Sequence, residues 1–268
     1  MNFRLIARSL VILAVMAVSA IGAGARDFVL VIDAGHGGKD VGARGQKAYE
    51  KNINLAVAKL FGEKVKKECD DVKVVYTRDD DTFVSLKDRA DIANKAGGDL
   101  FVSIHVNSVA AKAKNRRTIK GAEVYTLGLH KSEDNLAVAM RENSVMSLES
   151  DHEETYQGFD PESSESYIIF ELSQSLHMDQ SIELAELVQQ SLVSNAGRAD
   201  KGVRQAGFWV LWATSMPSIL IELDFICNPT QEQYLASAAG QKELADAIFE
   251  GFITYKEYNF TSDDGAGK

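Results

Sequence analysis

The chain is poor in the residues that build cross-linked, fibrous or nucleic-acid-binding proteins. Its 268 residues include only two cysteines, Cys69 and Cys227, which lie far apart in unlike contexts, so we expect both to be unpaired. Three prolines and a composition that is 45% hydrophobic and 25% charged exclude a disordered or fibrous chain. Basic residues number 29 against 39 acidic residues, and the net charge of −10 indicates that nucleic acid is not a partner.

An apolar run of the kind that forms a targeting signal lies at the N-terminus. Two arginines precede an apolar stretch at 9–18, and small residues follow as far as Ala25. This order is typical of a secretory signal peptide, here residues 1–25. The stretch is short for a bilayer span, so we expect an exported protein with no stable membrane span after cleavage, in preference to an uncleaved anchor.

Buried strands and amphipathic helices alternate between residues 26 and 260. In the predicted helix Glu50–Glu68, for example, apolar residues recur four positions apart. Strands are predicted at Phe28–Asp33, Val72–Tyr76, Leu100–Val106, Ala122–Thr126, Phe208–Leu211 and Ser218–Ile226, and helices at Glu50–Glu68, Leu86–Ala96, Asp134–Asn143, Gln180–Ser194 and from Ser166. The alternation predicts one α/β domain with a largely parallel sheet.

Some segments do not fit this alternation. Lys112–Lys120 is basic and is interpreted as an exposed loop rather than a nucleic-acid patch. Ser147–Glu165 is dense in acidic residues and serine, and is either a long loop or an inserted cap within the region 145–165. The tail at 261–268 is predicted to be disordered.

Polar side chains occur near the carboxyl ends of predicted strands, where open α/β sheets bind their ligands. The first strand leads to His36 in a glycine-rich loop, a later strand contains His105 near its end, and the last strand contains Glu222. If these strands are parallel, the side chains meet at one edge of the sheet. Histidine is the commonest protein ligand for zinc, and a catalytic zinc usually has three protein ligands and one open position.

Two carboxylates near these histidines have alternative explanations. Glu50 opens a predicted helix, so it is either a third zinc ligand or a carboxylate stabilised by the helix dipole. Glu222 lies in an apolar strand, where a buried carboxylate needs a partner. It is either the general base of a zinc hydrolase or the partner of an arginine such as Arg44 or Arg78.

An ordered set of motifs carries a resemblance. The segment 31–43 reads Val-Ile-Asp-Ala-Gly-His-Gly-Gly-Lys-Asp-Val-Gly-Ala, and Glu50-Lys51-Asn52 follows it. A middle block extends from Thr77-Arg78 to Asn94, and the strands at 101–107 and 221–228 contain the second histidine and the glutamate. Together, over residues 28–255, these motifs resemble the N-acetylmuramoyl-L-alanine amidases of the amidase-3 family.

The resemblance implies a hydrolase with one zinc ion, held by His36, Glu50 and His105, with Glu222 as the catalytic glutamate. It also implies a three-layer α/β fold, in which a mixed, mostly parallel six-stranded sheet of the phosphorylase/hydrolase-like type has helices on both faces. The implied reaction cleaves the amide bond between the lactyl group of N-acetylmuramic acid and L-alanine in peptidoglycan, for cell-wall remodelling or daughter-cell separation. No wall-binding module is appended, which favours the periplasm over an extracellular location.

Two residues near these motifs remain open to interpretation. Asp224 replaces the small residue that usual members of the family have, and it points to the same strand face as Glu222. It either raises the pKa of Glu222 or hydrogen-bonds a loop. Asn107 either positions substrate or caps the turn after its strand.

The acidic segment suggests regulation. Some amidases that resemble this chain carry an inserted helix that places a glutamate on the zinc until an activator protein withdraws it. Ser147–Glu165 lies where such an insert would fall, and it offers Glu149, Glu153 and Glu154 as autoinhibitory residues. The alternative is a solvated acidic loop.

Two other functions are consistent with parts of the sequence. A catalytically silent peptidoglycan-binding or regulatory protein would keep the fold but usually loses residues of the zinc site, whereas this chain retains them. A zinc carboxypeptidase uses a similar ligand set but would not carry the Gly35-His36-Gly37-Gly38 loop in this context.

Overall fold

The computed structural model describes residues 27–172 and 176–260. The predicted signal peptide and the C-terminal tail lie outside these residues. The strands are β1 (Phe28–Ala34), β2 (Val72–Tyr76), β3 (Leu100–Asn107), β4 (Ala122–Leu127), β5 (Asp200–Ala206) and β6 (Ser218–Phe225). The helices are α1 (Glu50–Glu68), α2 (Leu86–Lys95), α3 (Glu133–Asn143), α4 (His152–Thr155), α5 (Ile168–Leu172), α6 (Met178–Ser194), α7 (Trp209–Trp212), α8 (Pro229–Leu235) and α9 (Ala238–Asn259).

The six strands form one mixed sheet in the order β2-β1-β3-β6-β4-β5. Every neighbouring pair is parallel except β4 and β6, which are antiparallel. Because β1, β3 and β6 run parallel, their carboxyl ends lie at the same edge of the sheet. The predicted fold class is confirmed.

Apolar side chains project from both faces of the sheet and form two hydrophobic cores. Alternate residues of the central strands pack against α1, α6 and α9 on one face, for example Ile32, Ile104 and Ile221. The intervening positions pack against α2, α3 and α7 on the other face, as Val31 and Phe101 do. The sheet is therefore buried between two helical layers, which explains why its central strands read as continuous apolar runs.

The structure corrects one strand and adds another. Phe208–Leu211 is predicted as a strand, but Phe208 is the N-cap of the short helix α7 and the next three residues lie in that helix. The strand at this edge of the sheet is β5, which has the polar sequence Asp-Lys-Gly-Val-Arg-Gln-Ala and is mostly half-exposed. An edge strand has one neighbouring strand and a solvated side, so its sequence need not be apolar. A search for apolar runs therefore misses it.

The acidic segment after α3 is folded onto the second core. It contains 3₁₀ turns at Ser144–Leu148 and Ser164–Tyr167 with α4 between them. Aromatic contacts hold it: the ring of Tyr156 lies 5.1 Å from that of Trp209. The segment therefore packs against the domain, and its role as a regulatory insert stays a prediction. None of the helices in the described ranges is long and apolar enough to cross a membrane.

Candidate metal centre

Strand register brings the residues of the site together. His105 on β3 and Glu222 on β6 are direct neighbours across the parallel pair. His36 lies just beyond β1, on the other side of β3, in a left-handed backbone conformation with φ of 62°. Gly35 permits this approach, because a Cβ atom there would lie 2.3 Å from the imidazole of His105.

Four buried side chains direct one atom each at a common point. Nε2 of His36 lies 3.1 Å from Oε1 of Glu50 and 3.1 Å from Oε2 of Glu142, and Nδ1 of His105 lies 3.2 and 3.0 Å from the same two oxygens. All four atoms lie within 4.8 Å of one another. Within the described chain, His36 Nε2, His105 Nδ1 and Glu142 Oε2 have no partner with hydrogen-bond geometry. They point at a shared centre rather than at each other.

Secondary contacts hold two of these side chains in place. Nδ1 of His36 lies 2.7 Å from a carboxylate oxygen of Asp40, which fixes the ring and leaves Nε2 facing the centre. Glu50, at the start of α1, accepts hydrogen bonds from the backbone amides of Ala43 at 2.7 Å and Val106 at 2.8 Å. The orientation of Glu50 is thus fixed by the loop before α1 and by strand β3.

Two buried arginines fix the loop that carries His36. Arg89 donates to the carboxylate of Asp33 and to the carbonyl oxygens of Ala34 and His36, each at 2.7 Å. Arg78 donates to the carbonyl oxygens of Ala34 at 2.8 Å and Gly35 at 2.9 Å. The middle block of the sequence, which contains both arginines, therefore fixes the backbone of the loop that carries His36.

Glu222 is fully buried beside the four-residue group and pairs with an arginine that the sequence did not indicate. Nη2 of Arg141, on α3, lies 3.1 Å from Oε1 of Glu222. The predicted alternatives do not make this contact: Arg78 binds the loop after β1, and Arg44 is exposed. The second oxygen of Glu222, Oε2, is buried without a hydrogen-bond partner in the described chain.

Burial and mutual charge shift the proton affinities of the group. Burial raises the pKa of Glu222 well above its usual value, and the carboxylates of Glu142 and Glu50 raise it further. The positive charge of Arg141 lowers this pKa but offsets only part of the increase. Burial alone would lower the pKa of His105, but Glu142 and Glu50 outweigh it and raise the pKa to about 9. The pKa of His36 is raised for the same reason, chiefly by Glu50.

Glu142 is the carboxylate that the sequence analysis did not single out. Burial would raise its pKa, yet Arg141 and His105 hold the pKa well below the usual value, so Glu142 is ionised. The three carboxylates predicted as autoinhibitory lie elsewhere: Glu149 accepts a hydrogen bond from Tyr156 at 2.7 Å, and Glu153 and Glu154 are exposed on α4. The glutamate against the imidazoles comes from α3, before the acidic segment.

Comparisons with known proteins assign the chain to a family. A family profile described as N-acetylmuramoyl-L-alanine amidase, amidase-3, matches residues 30–254. The chain belongs to the amidase-3 family. The amidase AmiA of Escherichia coli K12 is 33% identical over 230 residues, which are 85% of this chain and 75% of AmiA. An uncharacterised protein of Bacillus subtilis, YqiI, is 35% identical over 84% of this chain and 82% of its own length.

A solved structure shows the same fold. The N-acetylmuramoyl-L-alanine amidase of Clostridium difficile 630 superposes with a TM-score of 0.64 at 31% identity, over 88% of this chain and all of that one. Membership of the amidase-3 family makes this chain an N-acetylmuramoyl-L-alanine amidase by class.

The structure shows the contacts of the two residues that the sequence left open to interpretation. Asp224 accepts hydrogen bonds from the Gly121 amide at 2.9 Å and from Arg198 at 3.0 Å, so it binds a loop, as one of its two interpretations proposed. Asn107 donates to Glu123 and accepts from the Ser108 amide at 2.7 Å. That contact is the capping arrangement, and a role of Asn107 in substrate binding stays a prediction.

The donor set of the amidase site suits a transition-metal ion. Two imidazole nitrogens and two carboxylate oxygens, all buried, form a small group of nitrogen and oxygen donors. The unpartnered donor atoms are otherwise unfavourable in a buried position, and a bound cation would satisfy them together. With Glu142 present the group offers four protein ligands, whereas a catalytic centre needs one position for water.

Proposed function

We propose that this amidase hydrolyses the bond between the lactyl carbonyl of N-acetylmuramic acid and L-alanine in peptidoglycan, using one zinc ion. His36, Glu50 and His105 hold the ion, and Glu222 is the catalytic glutamate. The observation that carries the proposal is the convergence of buried, unpartnered donor atoms beside a buried carboxylate. The family profile supplies the reaction class.

The chain's own residues account for the proton transfers. A bound zinc ion would polarise the scissile carbonyl and acidify a water molecule. Glu222 accepts a proton from the attacking water and transfers it to the amide nitrogen as the carbon–nitrogen bond breaks. Oε2 of Glu222 suits this exchange, because it has no hydrogen-bond partner within the described residues. Asp40 keeps the ring of His36 oriented throughout.

The structure supports the proposal that α3 holds the enzyme inactive. Glu142 occupies the position that water and the substrate carbonyl would need, at 3.0–3.1 Å from both imidazoles. Arg141, the preceding residue, binds Glu222 and also donates to the Ser108 carbonyl at 2.7 Å. One helix thus blocks the ligand position and engages the base, and both contacts must break before substrate binds.

The same proposal covers partner and location. A protein that withdraws α3 would act as the activator, because the buried contacts of Arg141 and Glu142 require compensation when they break. We propose that residues 1–25 direct export and that the enzyme works on the wall from the periplasm.

The experiment is mass spectrometry of peptidoglycan digested by the Glu142→Ala protein. We expect free stem peptides that begin with L-alanine, together with glycan strands that keep intact lactyl groups. A chelator should abolish these products and added zinc should restore them. Glu222→Gln in the same background should be inactive although it keeps the metal, whereas the exposed Glu186→Gln should behave as the parent. Products cut within the glycan or within the peptide would refute the proposed reaction.

A further inference from the structure

A basic cavity lies next to the metal centre. Its volume is about 430 Å³, and its lining includes Arg44, Lys114, Arg116 and Arg117. No aspartate or glutamate lines it, although acidic residues exceed basic ones by ten in the whole sequence. Within the described ranges none of these four cations forms a salt bridge. A cleft lined by charges of one sign attracts ligands of the opposite sign.

One carboxylate near this cavity is already bound by backbone amides. Glu232 approaches the loop at Gly45, but its Oε1 accepts hydrogen bonds from the backbone amides of Lys47 at 2.6 Å and Ala48 at 2.9 Å. Its side chain fixes the loop that carries Arg44. The four lining cations outnumber this carboxylate, so the cavity keeps a net positive charge.

Covalent continuity places the basic cavity beside the reaction centre. Ala43 lines the cavity at the metal centre and donates to Glu50, and the next residue, Arg44, lines the basic cavity. Consecutive Cα atoms are about 3.8 Å apart. On the opposite wall, Arg116 donates to the Val109 carbonyl, just after β3, and Cys227 follows β6. The basic cavity thus lies at the ends of the strands that carry the site.

A larger cavity borders both, and the carboxylates of Glu123 and Asp134 are among its lining residues. It has a volume of about 550 Å³ and shares Ala43 and Arg141 with the metal-centre cavity and Ala113 with the basic cavity. One of its walls is α3, through residues that include Arg141 and Val138. Withdrawal of α3 would open a continuous channel from the imidazoles to the basic residues.

The expected substrate carries free carboxylates close to its scissile bond. In a peptidoglycan stem the L-alanine is followed by a D-glutamate linked through its γ-carboxyl, so that the α-carboxylate stays free. An extended chain advances about 3.3–3.6 Å per residue, so carboxylates on the next residues lie roughly 7–10 Å beyond the scissile bond. Arginine guanidinium groups bind carboxylates through paired hydrogen bonds.

We propose that the basic cavity is a subsite that binds the free carboxylates of the stem peptide and so favours stems whose carboxylates are not amidated. Arg44, Lys114 and Arg117 are the exposed cations of this cavity, and Arg116 is tied to the loop after β3. The two exposed arginines supply most of the binding, because a guanidinium group pairs with a carboxylate through two hydrogen bonds. The inference rests on the proposed function, because it sets the scissile bond at the metal centre. None of the lining residues of the basic cavity belongs to α3, so the subsite is open even while Glu142 blocks the metal.

The test is calorimetric titration of the full chain with a synthetic peptide, L-alanyl-γ-D-glutamyl-diaminopimelic acid, and with its carboxamide counterpart. We expect the carboxylate peptide to bind about tenfold more tightly, with an advantage that shrinks at high salt. The double variant Arg44→Gln/Arg117→Gln should remove this advantage and leave binding of the carboxamide peptide unchanged. The matched control, Lys67→Gln/Lys73→Gln, removes two exposed cations from another surface and should change neither affinity.

Several results would overturn the subsite. These are equal binding of the two peptides, no binding of either, or an equal loss in the lysine control. Binding of a glycerol phosphate polymer in place of the peptide would also contradict it. The two proposals are contradicted by different results. Tight binding of the carboxylate peptide without any amide cleavage by Glu142→Ala would contradict the proposed reaction. Cleavage without preference for carboxylate stems would contradict the subsite.

Discussion

Helices α1 and α3 each contribute one glutamate to the metal centre, but they are held in different ways. The buried face of α1 includes Ile53, Val57 and Phe61, which are at most 1% exposed. The buried residues of α3 are mostly polar, and only Val138 and Ala139 are apolar. Burial of a large apolar side chain stabilises by about 1.5–3 kcal/mol, whereas a hydrogen bond contributes a net of about 1 kcal/mol.

This difference divides the metal centre into two sides. The permanent side is formed by the sheet and α1, and the exchangeable side is formed by α3. The polar contacts of α3 include Asn143, which donates to the Gly207 carbonyl at 2.8 Å and accepts from the Trp209 amide at 3.0 Å. Water or a partner protein can replace such contacts at small net cost, but neither replaces the apolar face of α1. The sheet side therefore keeps its geometry when α3 leaves.

The largest expected effect comes from breaking the permanent side. In the Glu142→Ala background, where α3 no longer blocks the centre, His105→Ala should lose the metal and reduce hydrolysis of labelled peptidoglycan by about a thousandfold or more, because a catalytic metal supplies several kcal/mol. Metal content after gel filtration and the initial rate measure both effects. His130→Ala, outside the four-residue group, is the control. A His105→Ala protein that keeps zinc and rate would show that His105 is not a ligand.

Breaking the exchangeable side should have the opposite sign. Glu142→Ala should retain zinc and raise the rate by about 10- to 100-fold, because contacts to charged groups contribute roughly 1.5–3 kcal/mol each and hold α3 in place. Glu133→Ala, on the exposed side of the same helix, should leave the rate unchanged. A Glu142→Ala protein that is slower or binds less zinc would make Glu142 a working ligand instead of a block.

The sequence predicted the permanent side better than the exchangeable one. His36, His105 and Glu222 follow from strand ends, since parallel strands bring their carboxyl ends to one edge whatever the details of packing. The structure places these residues and Glu50 together, and their roles stay proposals. β5 escaped prediction because an edge strand carries no buried run.

Glu142 escaped prediction for a different reason. The acidic segment has the denser charge, but dense charge is usually solvated. The useful signal was position: Glu142 follows Val138 by four residues and Ala139 by three, so it lies on the buried face of α3. A lone carboxylate at helical spacing from apolar residues marks a buried charge better than a cluster of acids does.

A smaller effect should come from Arg141, the second contact of the exchangeable side. Arg141→Met keeps an apolar stem of similar length but frees Glu222, so we expect about a fivefold higher rate. In the Glu142→Ala background the same change should add little, because α3 is already displaced. Lys131→Met, at an exposed position just before α3, is the control. A slower Arg141→Met enzyme in that background would place Arg141 in the catalytic machinery.

The smallest effect concerns the electrostatic contact between the two sides in the metal-free protein. Because the pKa of His105 is raised to about 9 and that of His36 is also raised, folding favours their protonated forms. This contribution is complete below the ordinary histidine pKa of about 6.5 and is lost as the pH rises through 9.

Thermal unfolding of the chelator-treated protein should therefore show a melting temperature that falls by a few degrees between pH 6.5 and 9.5. Added zinc should stabilise most at the upper end, since it binds neutral imidazoles. Glu142→Ala should flatten the dependence, because Glu142 is a main cause of the raised pKa of His105, whereas Glu186→Gln should keep the parent slope. A melting temperature that rises over this range would mean that α3 is held by its packing and not by the charge of Glu142, and the contrast between the two helices would then disappear.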